Sequence, residues 1–322
     1  MAFDPDSFFQ RIFAPEADFE ALADELWAHQ SQTVPQIRQF CEVLGTDARQ
    51  SMPISFFKHF ELKDGHWEPE AIFGSSGTTG QTPSRHFVKD LESYRINARR
   101  GFEAFFPAGD YQILALLPSY LERGNSSLVR MVQNWIEDFG LPGSGFFLDD
   151  FNALRTQIDQ ARESGTPLIL IGVAFALLDF VESHGVQLPP DAIVLETGGM
   201  KGRKKELVRE ELHEILKAGF GVSQIHSEYG MTELLSQAYT GSHGRFQCPP
   251  SMRVFMSDIH LNRLIQPIGV TGRLHIIDLA NIHSCAFIAT DDLGRMHADG
   301  SFEVLGRLDT AEMRGCNLMY VG

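Results

Sequence analysis

The stretch Leu168-Ile-Leu-Ile-Gly-Val-Ala-Phe-Ala-Leu-Leu-Asp-Phe-Val181 decides the fold class. Leu168–Ile171 is a short, unbroken apolar run, the pattern of a strand buried on both faces. After Gly172 comes a helix-like stretch, Val173–Val181. Upstream, Tyr111–Leu117 is a second apolar strand; downstream, Ala192–Glu196 and Val222–His226 are two more. Between the last two, Lys204–Lys217 reads as an amphipathic helix. Short buried strands separated by helices predict an α/β fold with mainly parallel sheets over residues 61–250.

The flanks differ from this middle. Residues 1–60 read as helical: Phe19, Leu22, Leu26 and Trp27 recur at helical spacing, as do Ile37, Phe40, Val43 and Leu44, with Pro35 and Pro53 as punctuation. These stripes are expected to pack into a core. After residue 250 the helical pattern stops. Arg253–Ile259, Arg273–Leu279, Ala286–Thr290 and Ser301–Leu305 read as strands, and Asp299-Gly300 is a hairpin turn signal. Residues 251–322 are therefore expected to form a small C-terminal antiparallel β-subdomain and a tail.

The 322 residues carry a net charge of −15, with 43% hydrophobic and 21% charged residues. That mixture excludes a disordered or collagenous chain. Its acidity argues against a nucleic-acid partner held through phosphates. Four dispersed cysteines, Cys41, Cys248, Cys285 and Cys316, contain no C-x-x-C pair and predict reduced thiols. The first residues, MAFDPDSFF, place acids where a signal peptide needs basic groups. The longest apolar run, Leu168–Leu178, is too short to span a bilayer. A cytoplasmic protein without an integral membrane segment is expected.

Four segments carry chemistry. Gly74-Ser-Ser-Gly-Thr-Thr-Gly80 packs glycines and hydroxyls into a loop that can wrap a polyphosphate, or be a surface turn; no Lys-Ser/Thr follows to make a Walker loop. Tyr229-Gly-Met-Thr-Glu233 follows a strand, where α/β sheets bind ligands. Tyr229 offers a flat face to a base, Thr232 a hydroxyl to a phosphate, and Glu233 a hard oxygen to Mg²⁺. The alternative there is a strand-to-helix turn with Thr232 as N-cap. Gly198-Gly199 leads into the cationic cluster Lys201, Arg203, Lys204 and Lys205, which can face a polyphosphate or begin a solvated helix. Thr290-Asp-Asp-Leu-Gly294, Gly306-Arg-Leu-Asp309 and Arg314-Gly315 offer carboxylates and guanidiniums suited to a ribose at a strand end, or form two hairpin turns.

In this order the segments resemble the core motifs of the adenylate-forming superfamily of acyl-CoA synthetases, adenylation domains and luciferase. Leu117-Pro-Ser-Tyr with Asn125-Ser-Ser-Leu128, Thr197-Gly-Gly-Met-Lys201 and the Arg314-Gly-Cys tail more closely resemble its acyl-protein synthetase (LuxE) family. Phenylacetate-CoA ligases share several motifs. The resemblance implies the superfamily's N-terminal-type domain, with ATP and Mg²⁺ as cofactors. Ser75, Ser76, Gly77, Thr78, Thr79 and Gly80 would hold the β- and γ-phosphates. Thr232 would contact the α-phosphate and Glu233 would hold Mg²⁺. Tyr229, with Gly230 next to it, would lie against adenine in a pocket lined by Gly198 and Gly199, while Asp292 and Arg307 would serve the ribose.

The chain departs from the superfamily pattern in three places. Gln81-Thr-Pro-Ser-Arg85 replaces the usual Pro-Lys, so Arg85 could stand in for that lysine. Thr290-Asp-Asp-Leu293 replaces T-G-D-L. The mobile C-terminal domain, with its bridging lysine, is expected to be absent, which leaves Lys201 as the candidate for that role. The implied activity is conversion of a carboxylic acid, a fatty acid by resemblance, to acyl-AMP, with transfer of the acyl group to Cys316 or another thiol. The implied partners are a small-molecule acid and an acyl-accepting reductase or carrier protein. The alternatives are an aryl- or acyl-CoA ligase and a non-catalytic nucleotide-binding remnant.

Overall fold

A computed structural model describes residues 3–75, 82–118, 124–198, 207–241, 244–258 and 267–308. The chain opens with three helices, α1 (Pro5–Ile12), α2 (Phe19–Thr33) and α3 (Pro35–Leu44). The side chains of Asp4 and Asp18 cap α1 and α2, accepting the first free backbone N–H groups. β1 (Met52–Pro53) and α4 (Phe56–His59) lead to a two-stranded antiparallel ribbon, β2 (Ala71–Gly74) and β3 (Arg85–Val88).

An alternating series follows: α5 (Leu91–Glu103), β4 (Gln112–Leu116), α6 (Ser127–Phe139), β5 (Gly145–Phe146), α7 (Phe151–Ser164), β6 (Leu168–Val173), α8 (Ala174–His184), β7 (Ile193–Thr197), α9 (Arg209–Phe220) and β8 (His226–Tyr229). The chain then turns to strands alone: β9 (Ala238–Thr240), β10 (Phe246–Gln247), β11 (Met252–Ser257), β12 (Thr271–Asp278), β13 (Phe287–Met296) and β14 (Phe302–Arg307).

One sheet contains nearly all of these strands, in the order β5-β4-β6-β7-β8-β9-β10-β14-β13-β12-β11, with β1 joined to β13. From β5 to β8 the neighbours are parallel. From β8 to β11 every pairing is antiparallel. The α/β part and the C-terminal β-subdomain are thus hydrogen-bonded edge to edge, with β8 at the seam. As the apolar runs predict, every residue of β4, β6 and β7 is buried. Asp299-Gly300 makes the β13–β14 turn: Gly300 has φ 81°, and the Asp299 carboxylate accepts from the Ser301 N–H.

Two apolar cores lie on this sheet. One surrounds the parallel strands and includes Trp135, with Phe102 and Phe139 packed around it. The other joins α1–α3 to the antiparallel strands. There Trp27 meets Phe287 edge-on, 5.2 Å between centroids. The Gln30 amide donates to Asn281 O (2.7 Å) and Ile282 O (2.9 Å) and accepts from Ala286 N (3.0 Å).

Phe19, Leu22, Leu26, Trp27 and Ile37 are buried as expected, but Val43 and Leu44 are 79% and 49% exposed. They lie in the last turn of α3, whose buried face is Ile37 and Cys41, and the helix ends at Gly45 in the left-handed region (φ 63°).

Candidate active site

A cavity of about 410 Å³ opens at the seam of the sheet. It lies beyond the carboxyl ends of β7 and β8, where an α/β sheet leaves its strand-end crevice. Thr197 and Gly198 reach it from β7, and Tyr229 to Glu233 from β8. Gly74 comes from the ribbon, Ser126 to Leu128 from the start of α6, and Asp291, Asp292 and Arg307 from β13 and β14. Gly198 has φ 67°, a left-handed conformation that glycine adopts without steric cost.

On one wall, the Tyr229 hydroxyl donates to Asp292 Oδ2 at 2.8 Å. Arg307 Nε lies 3.5 Å from Asp292 Oδ1, and its own side chain is 75% exposed. Asp292 and Arg307 are cross-strand partners. Phe246 and Phe302 hold the Tyr229 ring, at 5.6 and 5.7 Å between centroids. Burial pushes the Asp292 carboxyl up, against the pull of Tyr229 and Arg307. Asp292 therefore presents a partly shielded carboxylate at the cavity, a group able to accept from a pair of hydroxyls. Asp291 is paired with Arg273 at 3.3 Å.

The turn after β8 is fixed through its backbone. His86 Nδ1 donates to Thr232 O (2.9 Å), and Asn281 Nδ2 donates to Glu233 O (2.8 Å). Burial pushes His86 down to about 4, so it is neutral near pH 7. The Glu233 carboxyl is pushed up by burial, against a hydrogen bond from Ser84. Ser84 is tied in turn to Ser75: Ser84 N donates to Ser75 Oγ (2.8 Å) and Ser75 N to Ser84 O (3.1 Å). Ser75 is thus held next to the Glu233 wall. Glu233 is one carboxylate, and the described residues contain no cluster of three or more metal-ligating groups. That donor set suits Mg²⁺ arriving with phosphates, which takes one or two carboxylates and completes its shell with phosphate oxygens and water.

The remaining wall sets Glu228, Tyr94 and Gln237, which the motifs do not include, beside Thr197, Ser127 and Leu128, which they do. Thr197 donates its hydroxyl to Glu228 Oε2, across paired strands. The Tyr94 hydroxyl donates to Ser127 O at 2.9 Å. Gln237, Leu128 and Met131 complete this side. Burial pushes Glu228 up to about 7; Thr197 opposes the shift, and the neighbouring Glu196 adds to it.

A family model described as "Acyl-protein synthetase, LuxE" matches residues 145–321, more than half of the chain. The chain belongs to the acyl-protein synthetase (LuxE) family. A comparison with curated proteins finds no match. Solved structures of similar fold include a 2-hydroxyisobutyryl-CoA ligase in complex with 2-HIB-AMP and CoA (TM-score 0.68, 12% identity, covering 96% of this chain and 82% of that one). ATP-bound MatB from Rhodopseudomonas palustris aligns with TM-score 0.56 and 17% identity, over 76% of this chain and 48% of its own. The luciferase-like enzyme of the nonluminescent Zophobas morio mealworm gives TM-score 0.50 and 16% identity, over 74% and 57%. The chain spans about half the length of MatB. These likenesses show that the chain shares its fold with these enzymes.

Of the sites expected for this acyl-protein synthetase family member, Gly198, Tyr229, Gly230, Thr232, Glu233, Asp292 and Arg307 line the one cavity. Ser75 borders it through Gly74 and Ser84. Ser76, Gly77, Thr78, Thr79, Gly80, Gly199, Lys201 and Cys316 lie outside the described residues.

Two local expectations change. Asp292 sits inside a ten-residue β13, not at a strand end, because the strand continues through a register shift at Leu293/Gly294. Gly294 permits this: a Cβ there would lie 2.3 Å from Glu303 O. The segment after Tyr229 is a turn returning to antiparallel β9, so Thr232 caps no helix. Arg85 is exposed on β3, its guanidinium over the Phe87 ring, and is not among the cavity-lining residues. Cys41 and Cys285 are buried, and burial pushes the Cys248 and Cys285 thiols up to about 12. The sequence reading missed Glu228, Tyr94 and Gln237. Only Glu228 carried a signal, as a carboxylate next to the Tyr-Gly turn.

Proposed function

We propose that the protein activates a carboxylic acid with Mg-ATP and passes the acyl group to a thiol. The observation that carries this is the convergence of Gly198, the Tyr229–Glu233 turn, Asp292 and Arg307 on one cavity. In the first step a carboxylate oxygen of the acid attacks the α-phosphorus of ATP. The bond to the leaving pyrophosphate breaks, and acyl-AMP forms. In the second a thiolate attacks the acyl carbonyl, a thioester forms, and AMP leaves with the electron pair.

The residues take the following roles. Asp292, oriented by Tyr229 and Arg307, accepts the ribose hydroxyls. Tyr229 and Gly230 border the base together with Gly198 and Gly199. Thr232 donates to the α-phosphate, and its main chain is already pinned by His86. Ser75 to Gly80 hold the β- and γ-phosphates. Mg²⁺ held by Glu233 would neutralise charge on the phosphates. Lys201 bridges carboxylate and α-phosphate, and Cys316 is the acyl-accepting thiol. An acyl-accepting reductase or carrier protein would take the product onward. No described helix is long and apolar enough to cross a membrane, which fits the proposal of a cytoplasmic enzyme.

The test is pyrophosphate release by the full-length protein with ATP, Mg²⁺ and a panel of acids, followed by mass analysis of the enzyme. Release with one class of acid and an acyl adduct lost in Cys316→Ser are expected. Lys201→Ala should slow release by more than about tenfold, the loss of a charge-stabilising group in the transition state. A CoA thioester formed independently of Cys316 would favour the CoA-ligase reading. ATP binding without pyrophosphate release for any acid would favour the non-catalytic reading.

A further inference from the structure

The inner wall of the cavity is not a surface that an unsubstituted alkyl chain would select. Glu228 is 8% exposed and lines the cavity. Its Oε2 accepts the Thr197 hydroxyl. Its Oε1 lies against Gly230, where a Cβ would approach it to 2.4 Å, so the glycine is what leaves room for the carboxyl. Oε1 has no hydrogen-bond donor among the described residues. Tyr94, Ser127 and Gln237 add further polar groups to this side, and the apolar neighbours are Leu128 and Met131. The Gln237 Oε1 atom is buried without a partner.

A methylene placed against Glu228 would remove water from Oε1 and return no hydrogen bond. A hydroxyl or ammonium returns one, and sites built to hydrogen-bond a substrate discriminate strongly against the analogue that lacks the donor. The cavity lies toward the small end of ligand pockets, which run from about 300 to 1,000 Å³.

We propose that Glu228, seated by Thr197 and Gly230, makes the site select a carboxylic acid that carries a hydroxyl or ammonium donor on its chain, in preference to an unsubstituted fatty acid. This rests on the acid-activation reading above. Glu228 acts as a specificity residue that touches the acyl portion and takes no part in the bond changes.

The experiment is exchange of labelled pyrophosphate into ATP by the full-length protein with Mg²⁺. The acids are butyrate, its 3- and 4-hydroxy and 3- and 4-amino derivatives, octanoate and tetradecanoate. The wild type should favour a hydroxy or amino acid over butyrate by at least about tenfold in kcat/KM. Glu228→Leu should erase that ratio or invert it. Glu228→Gln, which keeps the size and the oxygen facing Thr197, serves if the leucine variant does not fold. It should retain preference for the hydroxy acids and lose preference for the amino acids, which separates the two donors. A wild type that prefers butyrate, octanoate or tetradecanoate overturns the proposal and leaves acid activation standing. A ratio unchanged in both variants overturns the role of Glu228. Exchange with none of these acids overturns this proposal, and exchange with no aryl acid either, while ATP binds, overturns acid activation as well.

Discussion

The two halves of the sheet build the cavity in different ways. β4, β6 and β7 in the parallel half are buried along their whole length, and their side chains are almost all apolar. In the antiparallel half, β13 is buried through Thr290 and then half-buried, and β14 runs from buried to exposed. That change along the strand is what allows Asp291, Asp292 and Arg307 to sit in regular β-structure and still reach a ligand. The parallel half contributes its strand ends, with Thr197-Gly198, the buried Glu228 and the Tyr229–Glu233 turn. The antiparallel half contributes the opposed pair Asp292 and Arg307, with Asp291 next to them. The cavity forms where they meet because neither half closes it alone.

The largest expected effects test whether the halves are one folding unit. Trp135→Ala in the parallel core and Phe287→Ala in the other should each cost about 3–5 kcal/mol, the range for deleting a fully buried aromatic. Because β8 and β9 are hydrogen-bonded across the seam, both variants should still show one urea transition, coincident by tryptophan fluorescence and circular dichroism. Two separated transitions would break the comparison into independent domains.

The next effect has opposite signs in the two halves. Burial opposes ionisation of Asp64, but hydrogen bonds from His283 and His29 outweigh it and hold the carboxyl well below its ordinary 3.8. These partners tie α2 to the loop before β13. The folded value is the lower one, so this stabilisation is complete above 3.8 and is lost as pH falls through the folded value. Glu228 behaves in reverse: burial and Glu196 raise it from 4.5 to about 7, against Thr197. The folded state holds the proton more tightly, so its contribution is present below 4.5 and is lost as pH rises toward about 7. One such proton gives a slope of at most about 1.4 kcal/mol per pH unit. Urea midpoints followed against pH should flatten at the acid end in Asp64→Asn and between the two Glu228 values in Glu228→Gln. The same slope in variant and wild type would reject the assignment.

The smallest effects concern the charged wall. Asp292→Ala should weaken ATP binding by roughly 1–3 kcal/mol, the loss of charge-assisted hydrogen bonds. Arg307→Ala should cost less than about 1 kcal/mol, since that side chain is mostly in water. Calorimetry that reverses this order would mean that Arg307 contacts the nucleotide directly.

The parallel half was legible because its signal is local. A strand buried on both faces must be apolar throughout, so Leu168–Ile171 and Ala192–Glu196 announce themselves, and the glycine turns follow within a few residues. The helices of the first 60 residues were equally plain from their period, but their ends were not. Val43 and Leu44 continue the apolar pattern of α3 in a turn that no described residue buries. Glu228 illustrates the opposite failure. A carboxylate in a short strand reads as exposed, yet β8 has neighbours on both sides and the sheet takes the residue out of water.

The sequence by itself determined the α/β order, the strand-only C-terminal part and the family to which the motifs belong. These depend on residue type and spacing along the chain. Only the tertiary structure decided that the halves share one sheet, that Asp292 lies within a strand opposite Arg307, and that Glu228 faces the cavity. Each of these depends on which distant segment lies alongside, and burial, pairing and pKa are set by that neighbour.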